Sequence, residues 1–314
     1  MMRGALIAMS RSRRLAKVMT TSRLAWYAAS RFVAGQTIGE AIQGVKQLNG
    51  AGMRASLDYL GENVTTRAEA ETAAAAYREA LDCIQAAGAQ SGISLKLTAL
   101  GLDLGDDLAT ELLRDIVAHA ASLSPVRFVR IDMEGSPYTA RTLDIFERAF
   151  ADHRNVGVVI QAYLYRTAAD VERLIQLGAG IRLCKGAYLE PPEVAYPAKA
   201  DVDANYLRLA ERLLSEPARA AGVYTGIASH DPDMLDWVKR YVAEHDVAKD
   251  AFEFQMLYGI RRDLQAALVA EGYRMRVYVP YGSQWYPYFM RRMAERPENV
   301  GFVVQNVLRE LGGR

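Results

Sequence analysis

Charged side chains recur where short apolar segments of this 314-residue chain end. Asp58, Lys96, Asp132 and Arg182 each lie in, or directly after, a different segment. Side chains at the carboxyl ends of parallel strands converge on one opening, so we expect these groups to share a pocket. A charged group that leaves water needs a partner. We therefore predict an ion pair between Lys96 and Asp132 at the floor of that pocket.

Other polar residues occupy the same position in further segments. They are Gln161, Lys185, Ser229, His230, Gln255 and Tyr278. One polar residue at a strand end is more often structural than functional, but convergence of this many favours a binding site. Lys185 is followed by Gly186 and Ala187, small residues that let a phosphate approach the backbone. These three residues also fit an ordinary strand-to-helix turn, and taken alone they favour the turn.

The segment WYPYFMRRMAERPEN (285–299) places two adjacent arginines behind four aromatic residues. Pro287 suits the first turn of a helix and Pro297 ends one, so we predict a helix over residues 285–296. Neighbouring residues on a helix project about 100° apart. The two arginines therefore cannot both point to a single solvent-facing side.

Glu295 follows Arg291 by four residues and Arg292 by three, so it can pair with both. Two guanidinium groups held in this way form a fork whose geometry suits a small carboxylate. Tyr288 shares the helix face of Arg292, and the neighbouring aromatics would shield an apolar ring or an aliphatic body. A solvated basic patch on a terminal helix is the alternative.

Eight apolar segments alternate with helical patterns from residue 55 onward. They cover residues 55–62, 93–100, 127–134, 156–164, 180–190, 224–231, 252–260 and 275–282. Near-continuous runs rich in Val and Ile are typical of parallel strands covered on both faces. The series predicts an α/β fold, a (β/α)8 TIM-type barrel over residues 55–314, with residues 1–54 as an N-terminal helical arm. A doubly wound open sheet is the alternative, but no G-x-G-x-x-G follows the first strand.

The composition excludes several classes of protein. A net charge of +1 gives no reason to expect nucleic-acid binding. Cys83 and Cys184 are too few for a disulfide framework and favour a reducing compartment. The four histidines show no ligand spacing with either cysteine, so we expect no metal site. No uninterrupted apolar stretch approaches the ~20 residues that a membrane span needs.

Residues 1–39 contain seven basic residues and no acidic one, which leaves the remainder of the chain with a net charge of −6. Three interpretations of this basic segment remain open. It has the composition of a mitochondrial transit peptide. It also suits an amphipathic helix attracted to an anionic membrane, or a helical arm with a solvated basic face.

Several short segments, taken in order, resemble a known family. They are LDYLGE (57–62), SLKLTALG (94–101), RIDME (130–134), QAYLYRT (161–167), RLCKGAYLE (182–190), ASHD (228–231), FQMLYG (254–259) and WYPYFMRRMAERPEN (285–299). Together, at barrel spacing, they resemble the bacterial monofunctional proline dehydrogenases, FAD-dependent enzymes that oxidise L-proline. The resemblance implies a distorted (β/α)8 barrel with its last helix over the mouth.

The resemblance also implies roles for individual residues at the substrate. Arg291 and Arg292 would bind the proline carboxylate, Lys96 and Asp132 would line the substrate side, and Tyr278 and Tyr288 would pack on the pyrrolidine ring. The proline nitrogen must be neutral before hydride leaves the ring. A carboxylate paired with a lysine is a poor base, so we assign Asp132 an orienting role.

For FAD, the resemblance implies Arg182 near the flavin N5 and Gln161 near its pyrimidine end. The remaining cofactor contacts would be Met133, Lys185, Gly186, Ala187, Ser229 and His230. Positive charge from Arg182 would stabilise a reduced, anionic flavin. One position departs from the family, in which Thr-His-Asn is frequent where this chain has Ser229-His230-Asp231. Asp231 places a negative charge where an amide is expected.

The implied activity is oxidation of L-proline to 1-pyrroline-5-carboxylate, the first step of proline catabolism, with electrons passed to a membrane quinone. We expect a cytoplasmic protein with peripheral contact to the inner membrane, and mitochondrial import is a minor alternative. The sequence predicts no particular oligomeric state. A different class of barrel enzyme, a Schiff-base aldolase, is the alternative, because it uses a desolvated lysine such as Lys96 or Lys185.

Overall fold

Eight parallel strands form a closed barrel in a computed structural model that describes residues 12–61 and 64–295. Each strand pairs with the next along the chain, and β8 closes the barrel against β1. The strands are β1 (Arg54–Tyr59), β2 (Ser91–Leu95), β3 (Val129–Ile131), β4 (Val156–Gln161), β5 (Gly180–Cys184), β6 (Tyr224–Ala228), β7 (Phe252–Leu257) and β8 (Met275–Tyr281). The predicted (β/α)8 barrel is confirmed, and the open sheet is wrong because β1 and β8 are hydrogen-bonded neighbours.

Helices connect successive strands and cover the outside of the barrel. They are α4 (Arg67–Ala86), α5 (Asp106–Ser122), α6 (Ser136–Asp152), α7 (Thr167–Leu177), α8 (Lys199–Leu214), α9 (Glu216–Ala220), α10 (Pro232–Glu244), α11 (Arg262–Ala270) and α12 (Trp285–Glu295), preceded by α1 (Arg13–Thr21), α2 (Arg23–Ala29) and α3 (Ile38–Gly50). A capping box at Thr66 and Glu69 begins the alanine-rich helix α4. The helical pattern over 203–222 is divided into α8 and α9 at Ser215, since Pro217 cannot continue the backbone bonds of α8.

The apolar core lies between the barrel wall and the helices. Leu57 and Ile131 are examples of strand residues that point outward and are fully buried under the helix layer. Residues at alternate positions point into the barrel, and several of these are polar, including Ser56, Asp58 and Ser94. The barrel therefore carries its polar side chains inside, below its mouth.

Helix α3 packs directly on the barrel. Ala41 and Val45 are fully buried in the same core as the strands, and a capping box at Thr37 and Glu40 begins the helix. The division of the chain at residues 54 and 55 into an arm and a barrel domain stays a prediction.

A second apolar cluster joins the arm to the last helix. Trp285 and Phe289 of α12 contact Trp26 and Phe32, with ring centroids 5.7 and 6.2 Å apart respectively. The cluster also contains Leu60, which follows β1, and residues at the end of β7. Because these residues lie at the carboxyl ends of the strands, α12 is placed over the barrel mouth, as predicted.

Two parts of the predicted helices lie outside the described residues: the first eleven residues of the basic segment, and Pro297. The side chain of Glu295 is likewise not described. Within the described part of the chain, no helix has the length and apolar character needed to cross a membrane.

We expect Gly259→Ala to destabilise the junction between the arm and the barrel. Gly259 has φ +75°, and an added Cβ would lie 1.7 Å from the Arg31 backbone oxygen. Gly88→Ala is a matched control, since Gly88 has φ +60° but open space around the same atom. The control should cost about 1–2 kcal/mol in urea unfolding. Gly259→Ala should cost clearly more, and equal losses would contradict the clash.

Candidate active site

Lys96 lies between two carboxylates at the floor of the pocket, just inside the carboxyl-terminal opening of the barrel. Its Nζ atom is 3.2 Å from Asp58 Oδ2 and 3.6 Å from Asp132 Oδ2, and it donates to the Tyr278 hydroxyl at 3.4 Å. Asp58 is completely buried at the end of β1. The predicted pair of Lys96 with Asp132 is confirmed, although Asp58 is the nearer carboxylate.

Arg182 is held by three acceptors from three different strands. Its Nε donates to Gln255 Oε1 at 2.5 Å, one terminal nitrogen donates to Asp132 Oδ1 at 2.7 Å, and the other donates to Ser94 Oγ at 3.2 Å. The guanidinium carbon also lies 5.3 Å from the centroid of the Tyr278 ring. These contacts fix both the position and the plane of the guanidinium.

Asp132 receives donors at both of its oxygens. Arg182 donates to Oδ1, while the Tyr278 hydroxyl donates to Oδ2 at 2.6 Å. Burial, reinforced by Asp132 and Asp58, raises the pKa of Tyr278 well above its ordinary value, so the phenol remains a donor. A carboxylate that accepts from a cation and a phenol suits the orienting role assigned to Asp132.

Burial dominates the titration of Asp58. It raises the pKa of the Asp58 carboxyl to about 6, despite the opposing effect of Lys96, and the Asp132 charge adds to the rise. The floor of the site therefore contains a carboxyl group whose pKa is about 6.

Gln161 ends β4 beside the polar floor. Its side chain is buried, and its Nε2 donates to the Met133 backbone oxygen at 3.5 Å. The Oε1 atom is also buried and accepts no hydrogen bond from the described residues. A buried amide oxygen without a donor is costly. This oxygen is consequently suited to accept a hydrogen bond from a bound molecule.

Lys185 follows β5 and is neutralised by two carboxylates. Its Nζ donates to Asp231 Oδ2 at 2.8 Å and to Asp203 of α8. Asp231 also begins α10, where its side chain accepts from the Asp233 amide at 3.2 Å. The aspartate that departs from the family pattern is thus an ion-pair partner of the predicted phosphate-binding lysine.

The other predicted cofactor residues surround this ion pair. Ser229 is buried and accepts from the Asp231 amide at 3.1 Å, and His230 Nε2 accepts from the Leu257 amide at 2.9 Å. Gly186 has φ +114°, and a Cβ there would lie 2.3 Å from the Tyr163 ring. Ala187 follows on the exposed surface. Only glycine fits at position 186, because both the positive φ and the Tyr163 ring exclude a side chain.

The two arginines of α12 lie beside the aromatic cluster. The Arg292 guanidinium carbon is 5.1 Å from the centroid of the Tyr288 ring, and Tyr288 is buried. Arg291 and Arg292 are both half-buried, consistent with the prediction that they do not share a solvated face.

The sequence places Asp58 and Gln255 among the polar residues at strand ends but assigns them no individual role, and it does not single out Glu253. For Glu253 the signal lies in FEFQML (252–257), where Glu253 and Gln255 alternate with apolar residues. Alternation of this kind predicts two different faces for the strand. In this barrel the polar face is the interior one.

The fold and the cluster together define a class of protein. A (β/α)8 barrel with charged residues from β1, β2, β3 and β5 at its carboxyl-terminal opening has the architecture of a barrel enzyme. The model of the family described as proline dehydrogenase matches residues 41–305. The chain belongs to the proline dehydrogenase family.

Individual relatives agree with this membership. Proline dehydrogenase 1 of Bacillus subtilis is 45% identical over 283 residues, which cover 90% of this chain and 91% of the relative. Proline dehydrogenase of Deinococcus radiodurans is 46% identical over 289 residues, with the same coverage of both chains. A crystal structure of proline utilization A from Bdellovibrio bacteriovorus, inactivated by N-propargylglycine, superposes with a TM-score of 0.79 and 27% identity. The match covers 86% of this chain and 32% of that longer one.

We expect Asp58→Asn to remove a pH dependence of stability. The pKa of Asp58 is about 6 in the folded protein, against about 3.9 for an unfolded aspartate. Between these values the folded state retains a proton that the unfolded state has lost, so the free energy of unfolding falls as pH rises. Urea titrations from pH 4 to 6 should show a flatter decline for Asp58→Asn.

The control is Asp107→Asn, on the exposed first turn of α5. It should keep the wild-type slope. A wild-type slope in Asp58→Asn as well would show that another group carries the titration.

Proposed function

We propose that this protein is an FAD-dependent proline dehydrogenase that oxidises L-proline to 1-pyrroline-5-carboxylate, the first step of proline catabolism. The observation that carries the proposal is the network of Lys96, Asp132, Arg182 and Tyr278 at the barrel mouth of a member of the proline dehydrogenase family. Four of the predicted site residues come from four separate strands and contact one another there.

The residues present fit a flavin. The buried Gln161 oxygen needs a donor, and a flavin pyrimidine carries an N–H that could supply it. Arg182, Lys185, Ser229 and His230 add cationic and polar groups along the same edge of the barrel, and Met133, Gly186 and Ala187 complete the set. A bound FAD would supply the two-electron acceptor that side chains lack. Arg182 would place a fixed positive charge beside it, which favours the electron-rich form.

The proposed substrate site lies between the barrel floor and α12. Arg291 and Arg292 bind the proline carboxylate, since paired guanidinium groups match its geometry. Tyr288 is buried beneath Arg292 and presents its ring beside the fork. Tyr278 contributes a second ring from the floor, next to Arg182. A small cyclic amino acid is enclosed by these groups on its polar and apolar sides.

The proline nitrogen must lose a proton before the ring is oxidised. Both oxygens of Asp132 already accept from Arg182 and Tyr278, so Asp132 orients these groups and does not take the proton. Proline therefore binds with a neutral amine, or releases its proton to solvent as it binds.

The aldolase alternative is not favoured. A Schiff-base lysine must be uncharged to act as a nucleophile. Lys96 lies between Asp58 and Asp132, and Lys185 lies between Asp203 and Asp231. Each lysine nitrogen is engaged in ion pairs with two carboxylates and is not presented as a nucleophile to a carbonyl substrate.

We further infer that a membrane quinone accepts the electrons on the cytoplasmic side of the membrane. Support comes from the arm, where Lys17, Arg23 and Arg31 are exposed and lie on a part of the chain without acidic residues. Basic residues near a membrane surface are attracted to anionic lipid. The arm packs on α12, so lipid contact there would bring the barrel mouth close to the quinone pool.

We expect anaerobic L-proline to bleach the visible flavin bands of the purified protein. In Arg292→Ala the bleaching rate should saturate at a proline concentration about ten- to hundredfold higher, because hydrogen bonds between charged groups contribute ~1.5–3 kcal/mol. Stopped-flow absorbance at the flavin bands measures the bleaching rate and the proline concentration at which that rate saturates.

The matched control is Arg262→Ala, which also removes an arginine near a tyrosine ring, with 5.8 Å between the guanidinium carbon and the Tyr258 centroid. It should saturate as the wild type does. Flavin bands indifferent to proline would refute the substrate, and a colourless protein that takes up no FAD would refute the cofactor. Unchanged saturation in Arg292→Ala would refute the carboxylate fork.

We expect the triple variant Lys17→Glu, Arg23→Glu, Arg31→Glu to lose affinity for vesicles that contain phosphatidylglycerol. Each basic residue contributes about 1 kcal/mol near an anionic surface, so binding should weaken on the order of a hundredfold in co-sedimentation. Three exposed basic residues outside the arm, Arg148, Arg240 and Lys249, give a control with the same net charge when changed to glutamate. Equal losses of vesicle affinity in both triple variants would show that the basic residues of the arm contribute no more to membrane binding than other surface charges do.

A further inference from the structure

We propose that Gln255, anchored by the Glu253–Arg276 ion pair below it, is the positioning residue that sets the orientation of Arg182. Gln255 lies on β7 and is 4% exposed. It is in contact with Arg182 and does not belong to the residues predicted to bind substrate or cofactor. The consequence for catalysis rests on the proposed function, whereas the consequence for Arg182 itself does not.

The two ends of the Gln255 amide face different partners. Its Oε1 accepts from Arg182 Nε at 2.5 Å, and its Nε2 donates to Glu253 Oε1 at 2.6 Å. An arginine can only donate hydrogen bonds and an ionised carboxylate can only accept them. One orientation of the amide satisfies both partners, and the flipped orientation would satisfy neither.

The ion pair below Gln255 keeps this orientation. Arg276 donates to both oxygens of Glu253, at 2.5 and 3.0 Å, and also to the Ala55 backbone oxygen at 2.9 Å. Burial alone would raise the pKa of Glu253, but Arg276 and the Gln255 amide hold it below its ordinary value. Glu253 is therefore an ionised acceptor at neutral pH, fixed through Arg276 to the wall of the barrel.

The neighbouring strand leaves room for the amide. Gly226 on β6 faces Gln255, and a Cβ at Gly226 would lie 2.3 Å from Gln255 Nε2 and 2.8 Å from its Cδ. An alanine at that position cannot coexist with the observed amide. Gly226 thus provides an independent way to displace Gln255 without changing its chemistry.

Arg182 depends on Gln255 for its approach to Asp132. Nε is the guanidinium nitrogen closest to the side-chain stem, so its partner sets the plane in which the two terminal nitrogens lie. Those nitrogens donate to Asp132 and Ser94. Without the Gln255 oxygen, the guanidinium can rotate and its charge moves away from the place where Asp132 and Tyr278 hold it.

The test uses Gln255→Met and Gly226→Ala in the full chain. Both should weaken the hydrogen-bonded Arg182 Nε–H signal in 15N NMR spectra of the protein, assigned by its loss in Arg182→Lys. In the FAD-loaded enzyme, kcat should fall about ten- to hundredfold, the typical effect of a misplaced catalytic group. KM for proline should stay within twofold, because the fork on α12 is unchanged. The flavin midpoint potential should become more negative.

The control is Asn155→Leu, which removes an amide that donates to the Val117 and Arg127 carbonyls, at 3.1 and 3.0 Å, away from the mouth. It should leave the Arg182 signal, kcat and the flavin potential as in the wild type, even if its melting temperature falls as in the other variants. An unchanged Arg182 signal in Gln255→Met would overturn the proposal. So would equal losses of kcat in Asn155→Leu at matched stability.

Failure of the proposed function is distinguishable from failure of this inference. If proline does not reduce the flavin in the wild type, the substrate assignment fails. The Arg182 Nε–H signal still reports whether Gln255 positions the arginine, with or without bound FAD.

Discussion

The buried pairing of Asp132 with Arg182 is the interaction on which the rest of the site depends. Asp132 is 9% exposed and Arg182 is 7% exposed, so neither charge is stabilised by much water. Removing either partner from such a pair leaves an uncompensated charge, at a cost of about 3–5 kcal/mol. Tyr278 and Gln255 complete hydrogen bonds that the pair itself leaves open, and Lys96 adds an ion pair with Asp132 at 3.6 Å. The pair therefore accounts for the polar side chains that surround it inside the barrel.

That polar interior has a steric consequence for the barrel wall. Long side chains cross the interior, and several strand positions that face them are glycines. Arg130 reaches the Val158 and Gly180 carbonyls at 3.0 and 2.6 Å, and a Cβ at Gly157 would lie 2.6 Å from its guanidinium. Gly226 makes the same kind of space for Gln255. The usual layers of branched apolar side chains are here replaced by arginines and amides beside glycines.

The sequence predicted the strands, the barrel and four of the floor residues, because buried strands and helices can be recognised from short apolar runs and their periodicity. It predicted Lys96 beside Asp132 but did not identify Asp58 as the nearer partner. Which side chains meet across a barrel depends on the stagger of the strands, which is not a local property. The partnership of Lys185 with Asp231 was missed for the same reason. Two residues that are 46 positions apart meet only after β5 and β6 have paired.

The arm was harder to predict than the barrel. Its basic composition suggested a leader or a solvated helix, whereas the described part of it contributes Trp26 and Phe32 to a cluster with α12. A helix that packs on another helix shows the same periodicity as one that packs on a sheet, so its partner cannot be inferred from the pattern. The sequence indicates that the arm has an apolar face, but it does not indicate which element that face packs against.

The two sides of the candidate site are therefore held by different forces. The floor is fixed by ion pairs and hydrogen bonds between buried groups, whose energies depend on exact partners and on pH. The roof, α12, is fixed by aromatic packing against the arm, which is nearly independent of pH and tolerant of exchange among apolar residues. Arg291 and Arg292 belong to the roof, and Arg182 belongs to the floor. Substitutions in the arm can therefore shift Arg291 and Arg292 on α12 while the electrostatics around Arg182 stay as they are.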